Sequence, residues 1–135
     1  MGYIVRVFDD LEYLSVPEVG HRLGIRQQDV RTMLNDRRLL AVRRGPNRAL
    51  MISVDQIATK DGADVALPSL HGTLTMLADR GIDEEEAFAW LHTDESELGV
   101  APIDALRAGH HRAVRRVILG PVSYTHLTLP TTPYV

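Results

Sequence analysis

The chain has 135 residues, a formal net charge of −3, a hydrophobic content of 44% and an aromatic content of 5%, so its core must be mainly aliphatic. It contains no cysteine, which excludes disulfides, thiolate zinc sites and a cysteine nucleophile, and which is typical of a cytoplasmic protein. The sequence shows neither a signal-peptide pattern nor an apolar run long enough to span a bilayer, so we expect no membrane association.

The net charge conceals two regions of opposite sign. Residues 21–50 hold eight arginines and two aspartates, a balance of +6, whereas residues 55–135 hold six basic and twelve acidic residues, a balance of −6. A basic region on a mildly acidic protein is what attraction to nucleic-acid phosphates requires. We therefore expect a binding function in the basic region.

A first short helix is predicted to begin at Ser15. The Ser15 hydroxyl can cap the helix, Pro17 fits its first turn, and Glu18 completes the Ser-x-x-Glu spacing of a capping box. Gly24 supplies a turn residue, so the helix is expected to end there.

A second helix is predicted over residues 27–36. Its apolar positions are spaced i, i+3, i+4, and a polar set lies nearly opposite them at about 100° per residue, namely Gln28, Arg31, Thr32 and Asn35. Side chains of these polar types can hydrogen-bond base edges in a major groove, arginine to guanine and glutamine or asparagine to adenine. The predicted base-reading residues are Gln27, Gln28, Arg31, Thr32 and Asn35.

A basic hairpin is predicted to follow. Residues 39–43 and 49–52 form its strands, joined by the turn sequence Gly45-Pro46-Asn47. Such a hairpin lies along the phosphate backbone or enters the minor groove, and it adds affinity with little sequence information. The predicted phosphate-binding residues, on the hairpin and around the second helix, are Arg26, Arg38, Arg43, Arg44 and Arg48.

The order of these elements carries more information than any one of them. A polar helix face taken alone is more often a solvated surface, and hairpin arginines can simply keep an edge strand soluble. A capping box, a turn glycine, a polar helix face and a basic hairpin occur within about forty residues, in the order of a winged helix-turn-helix. Residues 1–54 are therefore predicted to form a winged helix-turn-helix domain that binds double-stranded DNA.

Residues 55–121 are predicted to form a small helical domain for dimerisation or partner binding. Gly72 is expected to precede one helix, Asp83 to cap the next, and Pro102 to begin another. The acidic run at residues 84–86 can in principle form a magnesium or catalytic site. Such a run is more often a helix N-terminus in water, and we adopt that interpretation.

Other candidate chemistry in this domain is weak. His110 and His111 are adjacent, so on a helix their side chains would point about 100° apart and could not easily bind one metal ion. Trp90 is assigned to the core rather than to a ligand platform. The sequence has no phosphate-binding glycine loop and no nucleophile elbow, so it predicts no catalytic residue, metal, cofactor or enzymatic activity.

The last segment, residues 122–135, breaks with the rest of the chain. It is uncharged, rich in threonine and proline, and has no helical period. Its sequence VSYTHLTLPTT looks like one reading frame of the adapter used in transposase-based sequencing libraries. We interpret the segment as a non-native, disordered tail that replaces the native end beyond about Gly120, the alternative being a genuine extended tail.

Three segments carry a resemblance to a known family: LSVPEVGHRLGI, VRTMLNDRRLLAVRRG and AFAWLHTDESELGVAPIDALRAGHHRAVRRVI. They are similar to small actinobacterial DNA-binding proteins that join a winged helix-turn-helix to a helical C-terminal domain of unknown function. One member of that family is a serine/threonine-kinase substrate. The resemblance implies a DNA-binding protein whose recognition helix carries Gln28 and Arg31, with a kinase as a candidate partner.

The chain departs from that family's pattern at three places, one of them the final helix, which is interpreted as cut where the adapter-like segment begins. Arg26 stands where a serine or threonine often caps the recognition helix, and no threonine precedes Thr32, so the phospho-acceptor tail of some relatives is not evident. The C-terminal pattern is also similar to the toxin-binding domain of one antitoxin class. That resemblance implies an alternative function, in which the C-terminal helices bind a toxin.

Together these patterns predict a mainly α-helical protein with a small β-hairpin wing, a winged helix-turn-helix followed by a small helical domain. The predicted function is sequence-specific or semi-specific DNA binding by a transcriptional regulator in the cytoplasm, associated with the nucleoid. The recognition helix would enter the major groove and the wing would follow the phosphate backbone. A homodimer is expected because a monomer reads only one short half-site.

Overall fold

The computed structural model describes residues 11–120, which form six α-helices, five strands and one 3₁₀ turn. The helices are α1 (Val16–Leu23), α2 (Gln27–Asn35), α3 (Leu70–Asp79), α4 (Glu84–Leu91), α5 (Pro102–Arg107) and α6 (His111–Leu119). The strands are β1 (Tyr13–Ser15), β2 (Ala41–Arg44), β3 (Ala49–Ser53), β4 (Ile57–Lys60) and β5 (Ala63–Ala66), and the 3₁₀ turn spans Val54–Gln56. The predicted fold class is confirmed. The predicted tail, residues 122–135, lies outside the described residues.

Helices α1 and α2 are joined by a turn that passes very close to α1. The capping box is confirmed, because Glu18 Oε1 accepts from Ser15 N at 2.7 Å and Ser15 Oγ accepts from Glu18 N at 3.3 Å. Gly24 ends α1 with a left-handed φ of +72°, and Ile25 N then donates to Gly20 O at 2.9 Å. A Cβ at Gly20 would lie 2.9 Å from Ile25 O, so the turn requires a glycine at that position.

The predicted wing is part of a three-stranded antiparallel sheet in the order β1–β3–β2. Strand β3 pairs with β2, placing Arg43 opposite Leu50, and with β1, placing Leu14 opposite Ile52. Strand β1 was not predicted, because three residues directly before a helix carry too short a pattern. Its pairing fixes the start of α1 against the wing.

A second hairpin, β4–β5, lies in the region that was predicted to be helical. Ile57 pairs with Ala66, and the turn residues Asp61 and Gly62 have φ values of +54° and +82°. Two positive φ values in a two-residue loop are typical of a type I′ turn, for which Asp-Gly is a preferred sequence. The sequence therefore contained a signal for this hairpin that the helical assignment overlooked.

The four helices that follow lie near their predicted positions, with one correction. Gly72 is inside α3 rather than before it, because the helix already begins at Leu70, a fully buried residue. Asp83 caps α4 as predicted, since Asp83 Oδ1 accepts from Glu86 N at 2.8 Å. Pro102 occupies the first turn of α5.

One hydrophobic core extends through both predicted modules. It contains Val30 and Ile52 from the winged helix-turn-helix together with Leu70 and Phe88 from the C-terminal helices. Phe88 is the largest fully buried side chain, whereas Trp90, which was predicted to be core, is partly buried and packs at the edge. The wing and the C-terminal helices are thus stabilised by the same buried apolar surface.

A buried chain of hydrogen bonds connects the wing to α4. Gln56 is fully buried; its amide accepts from Leu40 N at 2.7 Å and donates to Leu40 O at 2.8 Å, as a neighbouring strand would. Gln56 Nε2 also donates to Ser53 Oγ at 3.1 Å. Ser53 Oγ lies 2.8 Å from His92 Nε2, and His92 Nδ1 lies 2.8 Å from Phe88 O.

The donor and the acceptor of each hydrogen bond in this series can be assigned in one consistent way. The carbonyl of Phe88 can only accept, so His92 Nδ1 carries the hydrogen, and the Ser53 hydroxyl donates to His92 Nε2 in the neutral imidazole. Burial lowers the pKa of His92 below its ordinary value of 6.5 and so maintains the neutral ring. Protonation would turn Nε2 into a donor and deprive Ser53 of its acceptor.

Replacement of Gln56 by leucine tests the first link of the chain. Leucine has a similar volume but leaves the buried N–H and C=O of Leu40 without partners. Because each unsatisfied group costs about 1–3 kcal/mol, we expect the free energy of unfolding in urea to fall by about 3 kcal/mol. Gln28→Leu, on an exposed surface, should change it by less than about 0.5 kcal/mol. A loss for Gln56→Leu no larger than this control would contradict the assigned role.

The lowered pKa of His92 predicts a dependence of stability on pH. The unfolded chain binds this proton more tightly than the folded protein, so the stabilisation is complete above about pH 6.5 and declines as the pH falls from there toward the folded pKa. Urea unfolding should be compared at about pH 7.5 and about pH 5 for the wild type and His92→Gln. We expect the wild type to lose more free energy of unfolding over this interval; equal losses would contradict the role of His92.

Candidate nucleic-acid interface

Helix α2 begins with an ion pair where a hydroxyl cap is more usual. Asp29 Oδ2 accepts from Arg26 N at 3.2 Å and from Nε at 3.1 Å, and Asp29 Oδ1 accepts from Nη2 at 3.0 Å. These contacts, the side-chain hydrogen bond from Arg26 first among them, lower the pKa of the Asp29 carboxyl. The start of the helix is therefore fixed by the Asp29 carboxylate, which accepts a hydrogen bond from the backbone N–H of Arg26. The side chain of Arg26 remains 75% exposed.

The face of α2 that was predicted to read bases is open to solvent. All five predicted side chains are exposed: Gln27, Gln28, Arg31, Thr32 and Asn35. On the other face Val30 is fully buried and Met33 and Leu34 are partly buried against the core. Thr32 Oγ1 donates to Gln28 O at 3.1 Å, so only the acceptor lone pairs of that hydroxyl remain available to a ligand.

The tip of the wing is held by its own backbone and by one arginine. Gly45 and Arg48 have left-handed φ values of +83° and +52°, and Arg48 N donates to Gly45 O at 3.1 Å. Left-handed backbone is uncommon at a non-glycine residue. The guanidinium of Arg43 supports it by donating to Arg48 O at 2.9 Å. Both arginines remain exposed.

Helix α2 and the wing share one groove. Its lining residues are Ser15, Val16, Pro17, Arg31, Arg43, Asn47, Arg48, Ala49 and Leu50. Arg31 comes from α2 and Arg43 and Arg48 from the wing, and none of these described lining residues is acidic. Three guanidinium groups around one concave surface create a positive potential that attracts an anion. The fold thus brings one predicted base-reading residue together with two predicted phosphate-binding residues.

Arg44 lies on the opposite side of β2 and does not join this groove. Successive side chains of a strand alternate in direction, so Arg43 faces solvent while Arg44 faces α4. Arg44 Nη1 donates to Glu85 Oε2 at 3.2 Å, and its Cζ lies 5.8 Å from the centre of the Phe88 ring. The Arg44 side chain is 28% exposed. Glu85, from the acidic run interpreted as a solvated helix start, therefore also binds the wing to α4.

Arg26 and Arg38, the remaining predicted phosphate contacts, flank α2. Arg26 directly precedes the helix, and Arg38 lies in the turn beyond its end, where Arg38 N donates to Met33 O at 2.9 Å. Both side chains are exposed. Neither lines the groove with Arg31, so the structure places them beside the helix rather than between helix and wing.

The residues that position the wing were not predicted from the sequence. Besides Gln56, Ser53 and His92, these include Arg107 of α5, whose Nη1 donates to Asp55 O at 2.9 Å and to Ile57 O at 2.7 Å. The partners of Gln56 and His92 lie 16 and 39 residues away along the chain. No local pattern distinguishes a polar residue with such distant partners from one that faces water.

Within residues 11–120 no three His, Cys, Asp or Glu side chains come together in a group that could hold a metal ion. None of the described helices is both long enough and apolar enough to cross a membrane.

Comparison with known proteins gives matches to both halves of the chain. A family model described as DNA-binding protein Rv2175c, wHTH domain, matches residues 6–52, and one described as Rv2175c C-terminal domain of unknown function matches residues 67–118. The chain is 30% identical to the DNA-binding protein Rv2175c of Mycobacterium tuberculosis, over 76% of this chain and 75% of that protein. The NMR structure of Rv2175c is similar, with a TM-score of 0.67, 31% identity and 79% of each chain covered.

The placement of Arg44 predicts different effects for two neighbouring arginines. Arg44→Ala removes an ion pair and a cation–π contact, so the free energy of unfolding should fall by about 1 kcal/mol. Arg43→Ala, on the exposed side of the strand, removes only the exposed hydrogen bond to Arg48 O and should lower it by less, about 0.5 kcal/mol. Urea unfolding measures both variants. The assignment would be wrong if Arg43→Ala were the more destabilising.

Proposed function

Because the chain belongs to the family of the DNA-binding protein Rv2175c, we propose that it binds double-stranded DNA through its winged helix-turn-helix. The observation that carries the proposal is the groove in which Arg31, Arg43 and Arg48 converge. This groove lies between the exposed face of α2 and the wing, which are the two elements that contact DNA in this class of domain.

In this proposal α2 is the recognition helix and enters the major groove. A major groove about 12 Å wide admits an α-helix about 10–12 Å across, so the exposed face of α2 can approach the base edges. Arg31 is suited to guanine and Gln28 to adenine, and Gln27, Thr32 and Asn35 assist on the same helix. The buried Val30 on the opposite face holds the helix on the core while these side chains reach outward.

The wing supplies phosphate contacts that are independent of sequence. Arg43 and Arg48 are exposed at the rim of the groove, and Arg26 and Arg38 flank α2 where the strands of the duplex pass the helix. Arg44 is left out of this set because its guanidinium binds Glu85.

A protein that occupies a specific DNA site changes what else can bind there, so we propose a transcriptional regulator associated with the nucleoid. We also predict a homodimer, because two copies of the protein would read two half-sites of the duplex. A kinase partner and the antitoxin-like alternative also stay predictions from the sequence.

Two classes of substitution test the division of labour between helix and wing. Site selection with the full chain first identifies a preferred duplex, and fluorescence anisotropy then measures affinity for that duplex and for random DNA. Arg31→Ala should cost about 1–3 kcal/mol on the preferred duplex and reduce the preference for it. The double substitution of Arg43 and Arg48 by alanine should weaken binding to both duplexes alike and lower the salt slope by about 2.

Arg44→Ala is the control for loss of charge from the wing, because it removes one positive charge at the position next to Arg43 in the strand. Circular dichroism establishes that each variant is folded before binding is measured. Arg44→Ala should keep the salt slope of the wild type. Equal losses for the helix and wing variants on both duplexes would contradict the division of labour. Failure of the folded wild type to bind DNA at low salt would overturn the proposed function.

A further inference from the structure

Helix α6 carries a second set of arginines that the proposed function does not use. Arg112, Arg115 and Arg116 are spaced i, i+3, i+4, and all three are exposed. The apolar side of the helix is buried in the core through Val114, Val117 and Ile118. With the exposed His111, the three arginines form what we call the basic face of α6.

Within residues 11–120 the arginines of this face have no ion-pair partner. The two ion pairs in that range are Arg26–Asp29 and Arg44–Glu85, and α6 itself contains no acidic residue. Like charges three and four positions apart on a helix repel one another and destabilise it. This occurs in a region where acidic residues outnumber basic ones, so the surrounding composition could have provided counter-charges. A bound anion would relieve the repulsion.

One side chain, His71, connects the surroundings of this face to the end of α2. His71, in the first turn of α3, has its Nδ1 3.2 Å from the carbonyl oxygen of Arg37, just beyond the end of α2. His71 also lines a surface groove together with His111 and Arg115 of α6. His71 therefore links the backbone just beyond α2 to the groove that Arg115 of α6 lines.

We propose that the basic face of α6 binds backbone phosphates of the same DNA duplex, beyond the C-terminal end of the recognition helix. The inference rests on the proposed function and extends it to the C-terminal helices. Guanidinium groups suit this role because their planar donors match phosphate oxygens. A duplex is favoured over an acidic protein partner because the groove that Arg115 lines also contains His71, which bonds to the backbone just beyond the helix that is proposed to enter the major groove.

The experiment compares the full-length wild type with the triple variant R112Q/R115Q/R116Q by anisotropy salt titration. One duplex of about 30 base pairs extends past the recognition helix, and one of about 10 base pairs spans a single helical turn. Each lost phosphate contact lowers the salt slope by about 0.9, so the slope on the longer duplex should fall by up to about 2.7. The difference between wild type and variant should be smaller on the short duplex, which ends before α6.

Two controls separate a phosphate contact from changes in folding or overall charge. R112K/R115K/R116K keeps three cations and should retain most of the wild-type slope. Lys60→Glu, at the exposed end of β4, changes the net charge by two without altering α6 and should leave the slope unchanged. If the glutamine triple variant fails to fold, Arg115→Gln alone should lower the slope by about 0.9.

The outcomes distinguish this inference from the proposed function. An unchanged slope for the folded glutamine variant, in a wild type that binds DNA, would overturn the inference alone and direct the search for a ligand of α6 to acidic proteins. Equal losses on the long and short duplexes would overturn the placement beyond the recognition helix. Absence of DNA binding by the wild type would overturn both.

Discussion

The position of the wing depends on how the backbone of Leu40 is paired. This residue lies between α2 and β2, and its buried N–H and C=O are both bound by the side chain of Gln56. Ser53 and His92 continue the chain of hydrogen bonds into α4. Because buried polar groups are costly to leave unpaired, these hydrogen bonds restrict the backbone around Leu40 to one position. The groove between α2 and the wing follows from that restriction.

Two neighbouring arginines of β2 have different roles, since one is proposed to bind DNA and the other stabilises the fold. In β2 the alternation of side chains sends Arg43 to the groove and Arg44 to Glu85 and Phe88. The wing is therefore fastened to the C-terminal helices by one arginine and presents the next to solvent. The continuous core has the same effect, since it holds the proposed recognition helix and α6 on one body. The proposed phosphate contacts of both parts can thus engage one rigid ligand.

Much of the fold was predictable because its signals are local. The capping box at Ser15, the cap at Asp83, the turn at Gly24 and the polar face of α2 each depend on residues within one or two helical turns. The predicted wing also appears, although β2 begins two residues later and ends one residue later than predicted, and β3 ends one residue later. The Asp61-Gly62 turn shows that a local signal was present for the second hairpin as well. Exposure of Gln28, Arg31, Thr32 and Asn35 follows from helical periodicity, whereas Gln27 is exposed as the first residue of the helix.

The amino-acid sequence by itself thus determined the helices, the wing turn and the sign of each surface charge. The tertiary structure alone decided which charges act together. Arg31, Arg43 and Arg48 line one groove because of how α2 packs beside the wing. Arg44 binds Glu85, which is 41 residues away in the sequence, and Gln56 binds the backbone of Leu40, which is 16 residues away. Helix and strand periods repeat over a few residues, whereas these contacts depend on how distant segments pack. A side chain's partner is therefore set by the packing of whole elements and not by its neighbours in sequence.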